Sequence, residues 1–146
     1  MSIKLSAVRV KPKTERCYVC GPENPEGLHV QFFRDGPQGC RALYTARTEH
    51  NGWPGMQHGG VTFALMDEAL GWAVHFQGLQ GVTARADTRF RQPVSTGDKL
   101  IIRGWTLERR HRLMTARAEI RLDNPEQTLV AETNATMFLL DADQSA

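Results

Sequence analysis

The chain has 146 residues, 40% of them hydrophobic and 23% charged, and carries a formal net charge of +2. That length suits one domain with one core, and the balance excludes a largely disordered chain. The charge is too small for the basic footprint of a nucleic-acid binder, and the longest apolar segment, 61 to 76, is broken by Asp67, Glu68 and His75 and falls short of the ~20 residues of a membrane span.

Residues 1–16 are mixed and basic, with no apolar run that could serve as a secretory signal; they read as an N-terminal arm before a single domain over 17–146. Three cysteines, an odd number, point to the reducing cytoplasm. "CYVCGPENPEGLHVQFF" opens with a Pro/Gly/Asn-rich turn and predicts a first strand over 28–34. "GPQG" turns the chain into a second strand over 40–47, with Cys40, Ala42, Tyr44 and Ala46 on one face. The loop "EHNGWPGMQ" delivers the chain to a helix predicted from about 58 to 77, ending near Gly78 and Gly81.

Beyond the helix everything reads as strand: 82–91, 99–109, 112–122 and 128–140, separated by "PVSTGD", "RRH" and "DNPEQ". In "MTARAEIRL" Met114, Ala116, Ala118, Ile120 and Leu122 should face in, and Thr115, Arg117, Glu119 and Arg121 out. One buried helix and long hairpin-connected strands satisfy each other if the sheet curls round the helix. The fold class is therefore α+β, an antiparallel wrap of about five to six strands.

The helix is apolar nearly all round, yet it carries Asp67 and Glu68 at its middle and Gly59–Gly60 at its start. An exposed acidic stripe would recur at three- and four-residue spacing, but positions 63, 64, 70 and 71 hold Phe, Ala, Leu and Gly. His58 and Asp67 are separated by roughly 13 Å of helix rise, so they cannot act on one reactant within one chain. Two copies with antiparallel helices about a two-fold axis would bring them together, which predicts a homodimer with shared sites. The unpaired amides of a Gly-Gly helix start suit an oxygen gaining negative charge, and a carboxylate facing them can serve as base or nucleophile. Acyl transfer is the reaction these parts fit.

"HGGVTFALMDEALGWA" resembles the signature of hot-dog-fold acyl-CoA thioesterases of the phenylacetate-pathway (PaaI-like) type. "CYVCGPENPEGLHVQF", "HNGWPGMQHGG" and "VTARADTRFRQPVSTGDKL" extend the resemblance over most of the chain. It implies a hot-dog fold in which Asp67 is the base or nucleophile, the Gly59 N–H polarises the thioester carbonyl, His58 positions that carbonyl and Thr83 stands near the attacking water. Members of the family carry an Asn six residues before the His; here Gly52 holds that position and Asn51 lies one step further. Glu68, turned ~100° from Asp67, reads as a structural or ion-pairing neighbour of the substrate site, which Gly60, Asn51 and Trp53 would help to line. The implied substrate is an acyl-CoA, with the coenzyme A moiety part of the substrate and no separate cofactor. Dimers pairing into a homotetramer stay open, as do a non-catalytic acyl-CoA-binding domain and, ranked lower, an enoyl-CoA hydratase.

Fourteen of the eighteen basic residues are Arg, whose planar fork suits phosphates. On "TARADTRFRQP" Arg85, Asp87, Arg89 and Arg91 alternate with Ala84, Ala86, Thr88 and Phe90. This is a solvated face, or else Arg89 or Arg91 joins the "ERRHR" turn at 108–112 to receive the phosphates of coenzyme A. Cys17 and Cys20 would suggest zinc if a second pair existed; none does, so the expectation is a structural role and no metal. His29, His50 and His75 read as capping, surface or loop residues, and Trp53, Trp72 and Trp105 as core or interface, with Trp53 alternatively lining an acyl pocket.

Overall fold

The computed structural model describes residues 14–141. Its elements in chain order are β1 (Phe33–Asp35), β2 (Gly39–Thr45), α1 (Gly59–His75), β3 (Gly81–Phe90), β4 (Lys99–Arg110), β5 (Leu113–Leu122) and β6 (Leu129–Leu139). The six strands form one antiparallel sheet in the order β1-β2-β4-β5-β6-β3, with α1 packed on its inner face. This is the hot-dog arrangement. No helix among the described residues is long and apolar enough to cross a membrane.

The helix buries Val61, Thr62, Leu65, Met66, Ala69, Leu70, Trp72, Ala73 and Val74, an arc much wider than an ordinary amphipathic stripe. Leu65, Met66 and Leu70 are fully buried, each contributing about 1.5–3 kcal/mol over leaving it in water. The sheet answers with small residues, among them Ala42, Ala116, Ala118 and Ala131. At Gly104 on β4 the approach is close: a Cβ there would stand 2.6 Å from the Ala69 carbonyl oxygen. Cys40 on β2 donates to that same oxygen at 3.1 Å, so the middle of α1 is fixed against the sheet. The helix stops where Gly78 turns to φ +79, a conformation that suits glycine.

Three expectations need correction. The first strand is confined to Phe33–Asp35, because His29 takes φ +54 and the amides of Leu28 and Val30 bond to the Tyr18 and Val19 carbonyls instead of a sheet neighbour. Strand β3 does not alternate regularly: a bulge between Thr83 and Arg85 leaves Ala84 exposed and turns Thr83, Ala86 and Thr88 to the half-buried side. On β5 Glu119 is buried although it lies on the outer face, gripped by Arg121 through two bonds of 2.9 and 3.2 Å. Of the expected N-terminal arm, residues 1–13 lie outside the described residues. Thr14 and Glu15 belong to the following turn, their carbonyls accepting from the amides of Cys17 and Glu23.

Candidate active site

His58 sits at the helix N-cap in an extended conformation, φ −60 and ψ 133, and its Nδ1 accepts the Gly60 amide at 2.8 Å. The Val61 and Thr62 amides both bond to the His58 carbonyl. The Thr62 bond is the first ordinary helical one, and with the His58 amide on the His50 carbonyl three of the four donors that a helix start leaves over, those of His58, Gly60 and Val61, are taken. Only the Gly59 N–H has no acceptor among the described residues. Gly59 is exposed, and a Cβ added there would meet nothing within 4 Å. The two glycines therefore differ: Gly60's donor is engaged by the cap, while Gly59's has no acceptor among the described residues.

Beside this start lies a cleft of about 390 Å³ lined by residues that include Tyr18, His50, Asn51, His58, Gly60 and Val61. His50 is buried beneath it, its ring against the Tyr44 hydroxyl at 2.8 Å and its carbonyl accepting the His58 amide at 2.9 Å. Burial, and next the Arg47 charge, lower the His50 pKa. The Asn51 side chain accepts from the Thr96 hydroxyl at 2.9 Å, tying the loop before the helix to the turn before β4. Gly52, in the position where the resemblance places an Asn, lies against His58, with a built Cβ 3.2 Å from the His58 Cα. Trp53 is 78% exposed at the loop tip, too open to be core.

Asp67 occupies a different place. It is half-buried on the flank of α1 nearest β3, and one of its oxygens accepts a hydrogen bond from the Thr83 hydroxyl. Thr83 also reaches the Met137 sulfur at 3.4 Å. The bulge after Thr83 is what turns this hydroxyl toward the helix. Asp67 and Thr83 are thus brought together. Asp67 and Gly59 are not, since eight residues of helix separate them by about 12 Å.

Glu68 faces another way, accepting from the Trp72 indole at 3.1 Å and from the Cys17 thiol at 3.4 Å. Among the described residues it makes no ion pair, so of the structural and ion-pairing roles expected of it the contacts here are of the structural kind. Burial pushes its pKa up to about 7. Cys17 is held low by the hydrogen bond from Cys20, and Cys20 is correspondingly driven well above the ordinary thiol range. Sequence reasoning missed this trio, because it brings together residues 17 and 68 that only the fold makes neighbours.

The arginine cluster divides. Arg91 pairs with Glu132 at 3.4 Å, Arg117 joins the same carboxylate at 3.2 Å, and Arg89 is exposed. The 108–112 turn cannot join Arg89 within one chain. Register puts Leu113 beside Phe138, and Arg89 beside Glu132, so the two groups lie roughly 20 Å apart along the sheet.

A curled antiparallel sheet around one helix, whose start leaves the Gly59 amide without an acceptor and whose middle carries Asp67 and Glu68, defines a hot-dog domain. A sequence model described as the thioesterase superfamily matches residues 54–129, and the chain belongs to that superfamily. Comparison with the curated proteins gives no match. Among solved structures, the thioesterase superfamily protein RHA08564 is similar at 28% identity and TM-score 0.75, covering 82% of this chain and 61% of its own. A mutant of the phenylacetic acid degradation protein PaaI from Thermus thermophilus is 25% identical with TM-score 0.69, covering 77% of this chain and 95% of its own. A hypothetical thioesterase from Streptococcus pneumoniae, solved with coenzyme A, shares the fold at 22% identity and TM-score 0.70, covering 75% and 87%.

Proposed function

We propose that the protein is an acyl-CoA thioesterase that works as a homodimer. The observation that carries this is the pairing of a single unengaged amide at Gly59 with a half-buried carboxylate at Asp67 on the same helix, too far apart to serve one reactant alone. A two-fold axis between antiparallel helices closes that gap. Strand β3 favours such an axis. It is a ten-residue edge of the sheet, flanked at one end by the exposed row Val82, Phe138 and Leu113, and a long unpaired edge seeks a partner strand. Pairing of two β3 edges would also set Arg89 and Arg91 of one protomer toward the 108–112 turn of the other, forming a basic rim for the phosphates of coenzyme A.

In this reading the thioester carbonyl rests on the Gly59 N–H, with His58 fixing the helix start and Gly60, Asn51 and Trp53 bordering the acyl cleft. Thr83 holds one oxygen of Asp67 and leaves the other for water. Asp67 takes the water proton as oxygen adds to the carbonyl carbon. The tetrahedral oxyanion then collapses, the C–S bond breaks, and the proton taken up by Asp67 passes to the departing sulfur, so that coenzyme A leaves as the thiol. Coenzyme A is part of the substrate, and no separate cofactor is used. The coenzyme A held by the Streptococcus pneumoniae structure supports this ligand class, and superfamily membership supports the reaction class.

Incubation with short, long and aromatic acyl-CoAs and a thiol-trapping reagent tests the proposal. Wild-type protein should release coenzyme A from at least one of them, and Asp67→Asn should lose most of that turnover while keeping its fold and dimer. Tight binding of acyl-CoA without thiol release would favour the non-catalytic reading. Unchanged turnover in Asp67→Asn would remove Asp67 from the mechanism.

A further inference from the structure

We infer that Cys17, Cys20 and Glu68 form a binding site for one divalent transition-metal ion of zinc type, joining the N-terminal turn to the central helix. The Cys17 and Cys20 sulfurs and a Glu68 carboxylate oxygen all lie within 4.8 Å of one another. A zinc ion with sulfur at about 2.3 Å and oxygen at about 2.1 Å in a tetrahedron sets adjacent S and O ligands about 3.6 Å apart. The Cys17 sulfur stands 3.4 Å from Glu68 Oε1. The geometry needs little adjustment to accept the ion.

The turn is built to hold both sulfurs on one side. The Gly21 amide bonds to the Cys17 carbonyl at 2.9 Å, and the Cys20 amide points at the Cys17 sulfur at 3.5 Å. A Cβ on Gly21 would stand 2.3 Å from the Cys17 nitrogen and 2.5 Å from the Glu15 carbonyl oxygen, so no larger residue fits this turn. An amide aimed at sulfur favours thiolate, the form that binds metal. From the helix, the Trp72 indole donates to Glu68 at 3.1 Å and fixes the carboxylate that completes the trio, as outer partners of metal ligands do.

Charge supplies an independent reason. Three groups that can each become anionic converge here, and among the described residues Glu68 makes no ion pair. A dication placed among them would offset their mutual repulsion when all three bind as anions. Two thiolates with one carboxylate suit zinc, and cobalt(II) as its spectroscopic stand-in, better than magnesium or calcium. Three protein ligands leave the fourth tetrahedral position to water. The ion would clamp the turn to α1 one residue beyond Asp67. None of this depends on the thioesterase reading.

The test titrates cobalt(II) into the full-length chain after chelator treatment, under a phosphine reductant. Expected is saturation at one equivalent, with a near-ultraviolet sulfur-to-cobalt band and the visible bands of a tetrahedral site. Cys17→Ser or Cys20→Ser should weaken binding at least a hundredfold, and Glu68→Gln at least tenfold with the sulfur band retained. Cys40→Ser, at a sulfur outside the trio that bonds the Ala69 carbonyl, should leave the cobalt affinity within twofold of wild type. Should the serine variants fail to fold, alkylation of wild-type Cys17 read by mass spectrometry serves instead; stoichiometric zinc should slow it at least tenfold. No sulfur-to-cobalt band, wild-type affinity in a folded Cys17→Ser, or alkylation indifferent to zinc would each overturn the site.

Discussion

Gly59→Pro removes the one amide that the active-site proposal requires and little else. Proline is well accommodated at the first position of a helix, where its missing N–H has no partner to lose. Here that position is Gly59, whose amide has no acceptor among the described residues. The preceding residue must be extended when a proline follows, and His58 already is, at φ −60 and ψ 133. A Cβ at position 59 meets nothing within 4 Å. Folding should therefore be untouched, or stabilised by about 0.4–1 kcal/mol through the stiffer unfolded chain. Loss of one oxyanion donor costs about 100- to 1,000-fold in turnover, or roughly 2.7–4 kcal/mol of transition-state stabilisation. The assay is thiol release from the best acyl-CoA, beside thermal unfolding of the same sample. Gly59→Ala, which keeps the amide, should stay near wild type. A folded Gly59→Pro within threefold of wild-type turnover would refute the role given to this N–H.

Two other outcomes follow from the packing and the titrating groups. Gly104→Ala puts a methyl 2.6 Å from the Ala69 carbonyl oxygen, so the helix must move off the sheet at a cost of about 1–3 kcal/mol; calorimetry should show the melting temperature falling by several degrees, and an unchanged value would mean the approach is looser than drawn. Burial lowers the His50 pKa from its ordinary value near 6.5. The fold therefore favours the neutral ring: its contribution to stability is complete above about pH 6.5 and is lost as pH falls below that toward the lowered folded value. Melting curves of wild type and His50→Gln, taken from pH 8 down to pH 5, should converge on acidification, and a constant gap would contradict the assignment.

The helix and the last four strands were legible because each is long and periodic. Predicted bounds of 58–77 for the helix and 99–109 for β4 stand against Gly59–His75 and Lys99–Arg110. Where the sequence misled, a single residue broke the period. His29 in the left-handed region cut short a strand that alternation alone extended, and the bulge after Thr83 altered the face of Ala84. Pattern cannot register either, since both depend on what the neighbouring segment offers for hydrogen bonding. Glu119 was read as solvated because its strand alternates, whereas Arg121 two residues on folds over it. The candidate site divided the same way. Its local parts, the helix start and the mid-helix carboxylate, were visible as spacing. The capture of Gly60's amide by His58 and the meeting of Glu68 with the cysteine turn arise from rotamers and tertiary contact, which spacing does not encode.

Mixed dimers test most directly whether two protomers share each site. Gly59→Pro and Asp67→Asn homodimers should each be nearly inactive. After unfolding and refolding together in equal amounts, random assortment makes half the dimers mixed, and each mixed dimer joins one intact Gly59 to the intact Asp67 of the other protomer. Activity should rise to about a quarter of wild type, with the remaining sites carrying either one or both lesions. A mixture no more active than its two parents, although mass spectrometry shows mixed dimers, would place both groups in one protomer's site and contradict the account.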